Sequence, residues 1–269
     1  MRTPLRLALS RAVGWLADRR VPRPLRAPLY RSYARMFGAE LDEVRPPLDG
    51  YPSLGAFFVR RLVDGARPFP EDSDALPSPV DATVQSLGPV QEGSLLQAKG
   101  REYPVRELLA GVGAEVELEG GWAWTLYLSP RDYHRIHAPL AADLLEARWV
   151  DGARYSVAPQ VLARRPRVLS VNERAVLHLR SADRGPFFMV LVGALNVGRI
   201  RVVGVEPGGA GPLPKPRRFA RAEELARFEM GSTVVLIWPP GTVRPADEPR
   251  EGQAVRMGSV LGTFAPRGA

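Results

Sequence analysis

Phe228-Glu229-Met230-Gly231-Ser232-Thr233-Val234-Val235-Leu236-Ile237-Trp238 places a serine at the mouth of a short apolar run. The residues after Ser232 are β-branched, aliphatic and aromatic, so 233–238 reads as a buried strand. A hydrolase serine on a nucleophile elbow needs Gly-x-Ser-x-Gly and a helix behind it. This stretch offers neither the second glycine nor the helix. The serine does follow a glycine, whose carbonyl no side chain shields and whose backbone tolerates strain.

Outward from that strand, short apolar runs between turn signals predict a mainly β body from about residue 77. Strands are expected at 82–88, 93–98, 123–129, 144–150, 187–193, 197–204 and 258–264, besides 233–238. Short helices are expected near 104–110 and 221–228, and 206–218 reads as a Pro/Gly-rich loop. The 26 glycines and 27 prolines of the 269 residues fit many turns. There is no cysteine, which excludes disulfides, thiolate catalysis and cysteine-held metals. Only Lys99 and Lys215 could carry a lysine-bound aldehyde cofactor.

The first 65 residues differ in kind. Nine arginines and one acid (Asp18) lie within residues 1–37, which equals the whole formal charge of +8. Helices are expected over 4–17, with Leu5, Leu9, Ala12 and Leu16 on one face and Trp15 beside them, and over 28–38, with Leu29, Tyr30, Tyr33, Met36 and Phe37. A third, capped by Ser53, is expected over 54–63. The apolar run Ala12 to Ala17 is too short for a signal peptide or a span. Basic residues interleaved with apolar helical faces favour an anionic membrane surface over nucleic acid. Packing of both helices on the body is the competing reading. The fold class expected is α+β: N-terminal membrane-associating helices (1–65), then a mainly β catalytic body (66–269).

Three motifs in the body carry chemistry: Ser78-Pro79-Val80-Asp81, Pro130-Arg131-Asp132-Tyr133-His134-Arg135-Ile136-His137, and Gly231-Ser232-Thr233. They supply an Asp, two His and a Ser, the inventory of a base-activated serine oriented by a carboxylate. In a self-processing reading, Ser232 attacks the Gly231 carbonyl, His137 takes the hydroxyl proton and Asp81 holds the imidazole tautomer. The amide becomes an ester, and elimination and hydrolysis leave a pyruvoyl group at residue 232. The other readings are a serine hydrolase using Ser232, His137 and Asp81 without cleaving itself, and a catalytically silent membrane-binding β domain. No third ligand accompanies His134 and His137, so no metal site is expected. His178 reads as a strand residue.

These motifs resemble those of the bacterial membrane-associated phosphatidylserine decarboxylases. Phe57-Phe58-Val59-Arg60 resembles the family's FFVR signature, and Pro79-Val80-Asp81 its P-x-D-G aspartate motif. Leu95-Leu96-Gln97-Ala98-Lys99-Gly100 with Tyr103 is similar to its ILQ-K-G-x-x-Y segment. Tyr127 to His137 matches its YLSPRDYHR-x-H block almost letter for letter, and Gly231-Ser232-Thr233 its LGST cleavage motif. Ser156-Val157, Asn172-Glu173-Arg174 and Leu191-Val192-Gly193-Ala194 also correspond. Met230 replaces the motif's leucine, Ala82 replaces the glycine after the aspartate, and Arg199 stands where a small polar residue is common.

The resemblance implies self-cleavage between Gly231 and Ser232, giving a β chain (1–231) and an α chain (232–269) that remain together, with further homo-oligomers open. It implies a pyruvoyl cofactor made from Ser232, which forms a Schiff base with the amine of phosphatidylserine and accepts the electrons released with CO2. It assigns Asp81 and His137 to self-cleavage and His134 to decarboxylation. The product is phosphatidylethanolamine, and the enzyme is expected peripherally on the cytoplasmic face of the inner membrane. Arg131 and Arg135 read either as surface charges or as contacts for the lipid phosphate.

Overall fold

A computed structural model describes residues 14–98, 101–194, 200–208, 211–229 and 232–266. The strand read from the opening stretch is β13, Ser232–Trp238, and it lies inside an eight-stranded antiparallel sheet. The sheet order is β11 (Pro212–Phe219), β7 (Ala142–Val150), β8 (Arg174–Ser181), β9 (Gly185–Gly193), β13, β5 (Trp122–Leu128), β2 (Ala82–Pro89) and β15 (Ala254–Val255). Ser232 pairs with Leu128 on one side and Gly193 on the other.

β13 alternates between two cores. Val234, Leu236 and Trp238 enter one apolar cluster, and Val235 and Ile237 the other. Both faces are therefore buried, which is why the run is continuously apolar instead of alternating. Two three-stranded sheets contribute to the first cluster: β10 (Ile200–Val202), β12 (Glu224–Phe228) and β6 (Arg135–His137), and β1 (Ala75–Pro77), β16 (Val260–Phe264) and β14 (Val243–Pro245). The hairpin β3 (Ser94–Ala98) and β4 (Arg101–Pro104), with helices Val105–Leu109, Pro159–Leu162 and Val168–Val171, supplies the second.

The α+β class holds, and three local expectations do not. The composition of 221–228 predicts a helix, but 224–228 form β12, paired with both β6 and β10. Burial of Leu225, Ala226 and Phe228 between two strands overrides the helical preference. The helix expected over 54–63 stops at Phe58, because the chain beyond it bonds elsewhere. Arg45 N donates to Arg61 O at 2.8 Å, and Val63 N donates to Glu43 O at 2.8 Å. The expected loop 206–218 contains edge strand β11, a position where Pro212, Pro214 and Pro216 are tolerated.

In the basic head, residues 14–17 are helical and a helix runs over Arg23–Phe37, closed by Gly38 in the left-handed region at φ 76°. Leu5, Leu9 and Ala12 lie outside the described residues. Tyr30 is buried and stacks on Phe57 at 4.5 Å, fastening the second helix to the next segment. Trp15, Leu16, Leu25, Leu29, Met36 and Phe37 are exposed. Among the described residues no helix is long and apolar enough to cross a membrane.

Truncating Leu236 to alanine opens a cavity in a strand packed on both faces. It should lower stability by about 2–5 kcal/mol. Val260→Ala, half-exposed on β16, should stay within about 1 kcal/mol. Chemical denaturation of the two variants checks the contrast.

Candidate active site

The histidine block leaves β5 at Leu128, turns through 129–134 and returns as β6. Asp132 makes the turn: its carboxylate accepts from Ser129 N and Ser129 Oγ, both at 2.7 Å. His134 and His137 are three apart along an extended segment, an odd spacing that points them to opposite faces. They accordingly meet different neighbours.

His134 is fully buried against Phe58, with ring centroids 4.1 Å apart. Its Nδ1 lies 2.8 Å from the Asp132 carbonyl, which can only accept, so Nδ1 carries the proton. Nε2 is then a bare lone pair, buried with no partner among the described residues. Burial pushes the imidazole pKa down to about 3. The Asp132 carbonyl opposes this, and the Arg60 charge adds to it. His134 is therefore neutral at physiological pH.

His137 is half-buried and borders a cleft of about 360 Å³ with Arg45, Arg61, Arg67, Tyr133 and Glu224. Its Nδ1 donates to the Ala222 carbonyl at 2.8 Å, and its Nε2 accepts from Tyr133 Oη at 3.2 Å. Burial lowers its pKa, while the Ala222 bond and the Glu224 charge resist. The tautomer expected to be set by Asp81 is set here by the Ala222 carbonyl.

Asp81 is held elsewhere. Arg67 grips it through Nε and Nη2, at 2.8 and 2.7 Å, and Met257 N donates to it at 2.7 Å. Arg67 also donates to Glu43 at 2.7 Å. Burial alone would lower the Arg67 pKa, but bonds to Asp81 and Glu43 outweigh it and raise the value. Asp81 and His137 remain neighbours through the backbone, since His137 N donates to Pro79 O at 2.9 Å. Arg67 and Tyr133 line both the His137 cleft and the adjacent cavity that Asp81 borders.

Ser232 is fully buried, and its Oγ has no partner among the described residues. It does not join His137 and Asp81 in a hydrogen-bonded chain, and Gly231 lies outside the described residues. Phe228 N donates to His134 O at 3.1 Å, so the histidine block is bonded to the strand that leads into the Gly-Ser link. Arg135 is committed to Glu224, at 2.7 and 2.6 Å, and to Val59 O. Arg135, read either as a surface charge or as a phosphate contact, is a largely covered side chain held by these bonds. Tyr133 lies within the histidine motif, but its contact with His137 does not show there; Arg67 and the Ala222 carbonyl carry no signal in the sequence, because tertiary contact alone brings them to the site.

A buried serine entering a central strand, unbonded to the histidine, does not support a conventional hydrolase. The comparisons point the same way. The family model for phosphatidylserine decarboxylase matches residues 54–263. The chain belongs to this family. It is 44% identical to a phosphatidylserine decarboxylase proenzyme of Halorhodospira halophila, covering 96% of this chain and 90% of that protein. It is 41% identical to one of Nitrosococcus oceani, over 86% of this chain and 79% of that protein. A third, from Anaeromyxobacter, is 39% identical over 96% and 94%. The silent-domain reading has no comparable support.

The environment of His134 sets a pH dependence. Its folded-state value of about 3 lies below the ordinary 6.5, so between those values the unfolded chain binds the proton more readily. The stabilising term is fully present above pH 6.5 and is lost as pH falls toward 3. Its size is on the order of a few kcal/mol. Denaturation midpoints measured from pH 7 to 4 should fall for the parent protein and fall less steeply for His134→Gln.

Proposed function

We propose that this chain is made as a proenzyme, cleaves itself between Gly231 and Ser232, and then decarboxylates phosphatidylserine to phosphatidylethanolamine. Family membership gives the activity. The observation that carries the residue assignment is Ser232, a buried hydroxyl without a partner at the entrance of a central strand. An unbonded buried hydroxyl is costly, and self-cleavage removes it: the oxygen departs with the Gly231 carboxylate, Cβ becomes a methyl group and the keto group forms at Cα. The site therefore fits a pyruvoyl group at residue 232.

In self-cleavage, Ser232 Oγ adds to the Gly231 carbonyl carbon and its proton passes to a neutral imidazole. His137 suits that task. Burial keeps it neutral, Ala222 O fixes the proton on Nδ1, and Nε2 carries the lone pair. The acyl group moves from nitrogen to oxygen. Elimination frees Gly231 as a carboxylate, and hydrolysis with loss of ammonia leaves the pyruvoyl group. Asp81 acts through Arg67, whose charge it fixes beside the His137 cleft.

In the second stage the pyruvoyl group supplies an electron sink for the leaving CO2. His134 supplies the proton traffic. Once the anionic headgroup beside it has raised its basicity above the resting value, its bare Nε2 takes a proton from the substrate ammonium, which must be deprotonated before the amine can react. The same nitrogen returns that proton to the substrate Cα after CO2 has left. The resting histidine is thus a neutral acceptor, charged only in mid-cycle.

Ser232→Ala should remain one chain of 269 residues without decarboxylase activity, while the parent protein gives fragments of 231 and 38 residues by intact mass. The fragments should co-elute under native conditions, because β13 is paired on both edges. His137→Ala should block processing, whereas His134→Ala should process and fail to decarboxylate. Normal processing of Ser232→Ala sinks the pyruvoyl assignment, and normal cleavage of both histidine variants sinks the division of roles.

The head gives the membrane contact in this reading. Six exposed apolar side chains fall between residues 15 and 37, among the nine arginines of residues 1–37. Each basic residue near an anionic surface adds about 1 kcal/mol, weakened by salt. Full-length protein with Trp15, Leu16, Met36 and Phe37 all changed to serine should process normally but no longer sediment with anionic vesicles. Undiminished sedimentation would move the lipid contact to the body.

A further inference from the structure

Beside the His137 cleft, across Arg67 and Tyr133, lies a second cavity of about 340 Å³, bordered by Asp81 and Ala82. Four arginines and four carboxylates face it, and most of these charges are already spent on each other. Arg67 takes Asp81 and Glu43, and Arg256 takes Glu40 and Glu43. The Asp132 carboxylate is bound by Ser129 N and Oγ. Two arginines are left. Arg131 is half-exposed, and its only carboxylate neighbour among the described residues is Asp132, at 3.6 Å. Arg60 is buried, and its Nη2 donates to the carbonyls of Arg131, at 2.6 Å, and Asp132. Arg60 Nε and Nη1 have no partner among the described residues, and no carboxylate there bonds it. Its cation lies over the Phe57 ring at 5.4 Å.

A buried guanidinium with two donating nitrogens unbonded is a costly arrangement unless an anion completes it, even with Asp81 and Asp132 acting on it from a distance. Arg60 braces the backbone that carries Arg131 and adds its own charge behind it. The cavity wall also includes Gly38, which directly follows the exposed Met36 and Phe37. A recess whose Arg131 corner keeps guanidinium donors free, beside an exposed apolar edge, suits an amphiphile, with its anion at that corner and its chains along the edge.

The geometry points to Arg131, backed by Arg60, as the site for the phosphodiester of the phospholipid headgroup, with the acyl chains leaving past Met36 and Phe37. This rests on the decarboxylase reading above and adds the substrate's phosphate contact to it. Tyr133 borders the cavity and its Oη donates to His137 Nε2 at 3.2 Å, so the cavity adjoins the His137 cleft.

Full-length Arg131→Gln and Arg131→Lys are assayed on phosphatidylserine dispersed in non-ionic detergent, so that the surface carries little charge besides the substrate. KM, in surface mole fraction, should rise about tenfold or more for the glutamine variant and less for lysine, as expected for loss of a charge-assisted contact. Intact mass should show the same two fragments as the parent. Calorimetry with glycerophosphoserine and with inorganic phosphate, on unprocessed Ser232→Ala protein with and without Arg131→Gln, reads the site without catalysis. Binding of glycerophosphoserine that the second substitution removes supports the assignment, and binding of inorganic phosphate alone reduces it to a general anion site. An unchanged KM overturns it, as does a variant that loses only sedimentation with anionic vesicles, since Arg131 would then be a membrane contact. A parent protein that never cleaves itself overturns the pyruvoyl reading instead, and the mass spectrum shows this independently.

Discussion

The structure depends on a strand that cannot be released. β13 has partners on both edges and core on both faces, so every backbone and side-chain direction of 233–238 is occupied. A chain break just before such a strand costs little, because the new terminus falls at a strand end and the cross-strand bonds survive it. The same burial removes the Ser232 hydroxyl from water without giving it a partner among the described residues. A site that must react with its own backbone once is well served by a serine fixed in position and unsatisfied there, since local strain and unmet polar groups persist only where surrounding packing enforces them.

The two histidines show how a two-residue period divides labour. On a helix, residues three apart share a face and could bind one metal or one carboxylate. On an extended segment they part. One goes into the apolar contact with Phe58, and the other to the rim of an arginine-lined cleft. Both lose basicity to burial, His134 far more so. One sequence motif thereby yields a half-buried imidazole and a fully buried one, with backbone carbonyls of Ala222 and Asp132 fixing each tautomer.

Much of this is legible in the amino-acid sequence. The apolar run after Ser232 reads as a strand, and the structure makes it one buried on both faces; the strands at 82–88, 123–129 and 187–193 fall within a residue or two of β2, β5 and β9. What the sequence leaves open is decided by tertiary pairing. The segment around Leu225 has the composition of a helix, yet it fills a gap between two strands. Arg67 sits in an Ala-Arg-Pro stretch without periodicity, and nothing local says that it will meet Asp81. The expectation that Asp81 holds His137 follows the logic of a triad. The structure gives that carboxylate an arginine instead, because Arg67 offers two parallel donors where an imidazole offers one.

That exchange also ties the basic head to the reacting residues. Glu43 bonds both Arg67 and Arg256, so an ion network runs from the segment after the second helix to Asp81. Phe58 covers His134, Val59 O accepts from Arg135, and Tyr33 Oη donates to Pro130 O at 2.7 Å. A membrane-binding appendage joined only by a linker would leave the site unchanged on docking. Here the exposed Met36 and Phe37 are a few residues from Glu43, so in the proposed membrane-bound state any shift of that helix bears on the partners of Asp81 and on the cavity that Arg131 borders. In the proposed reading, lipid contact and site geometry form one mechanical unit, an arrangement suited to an enzyme that acts on a phospholipid.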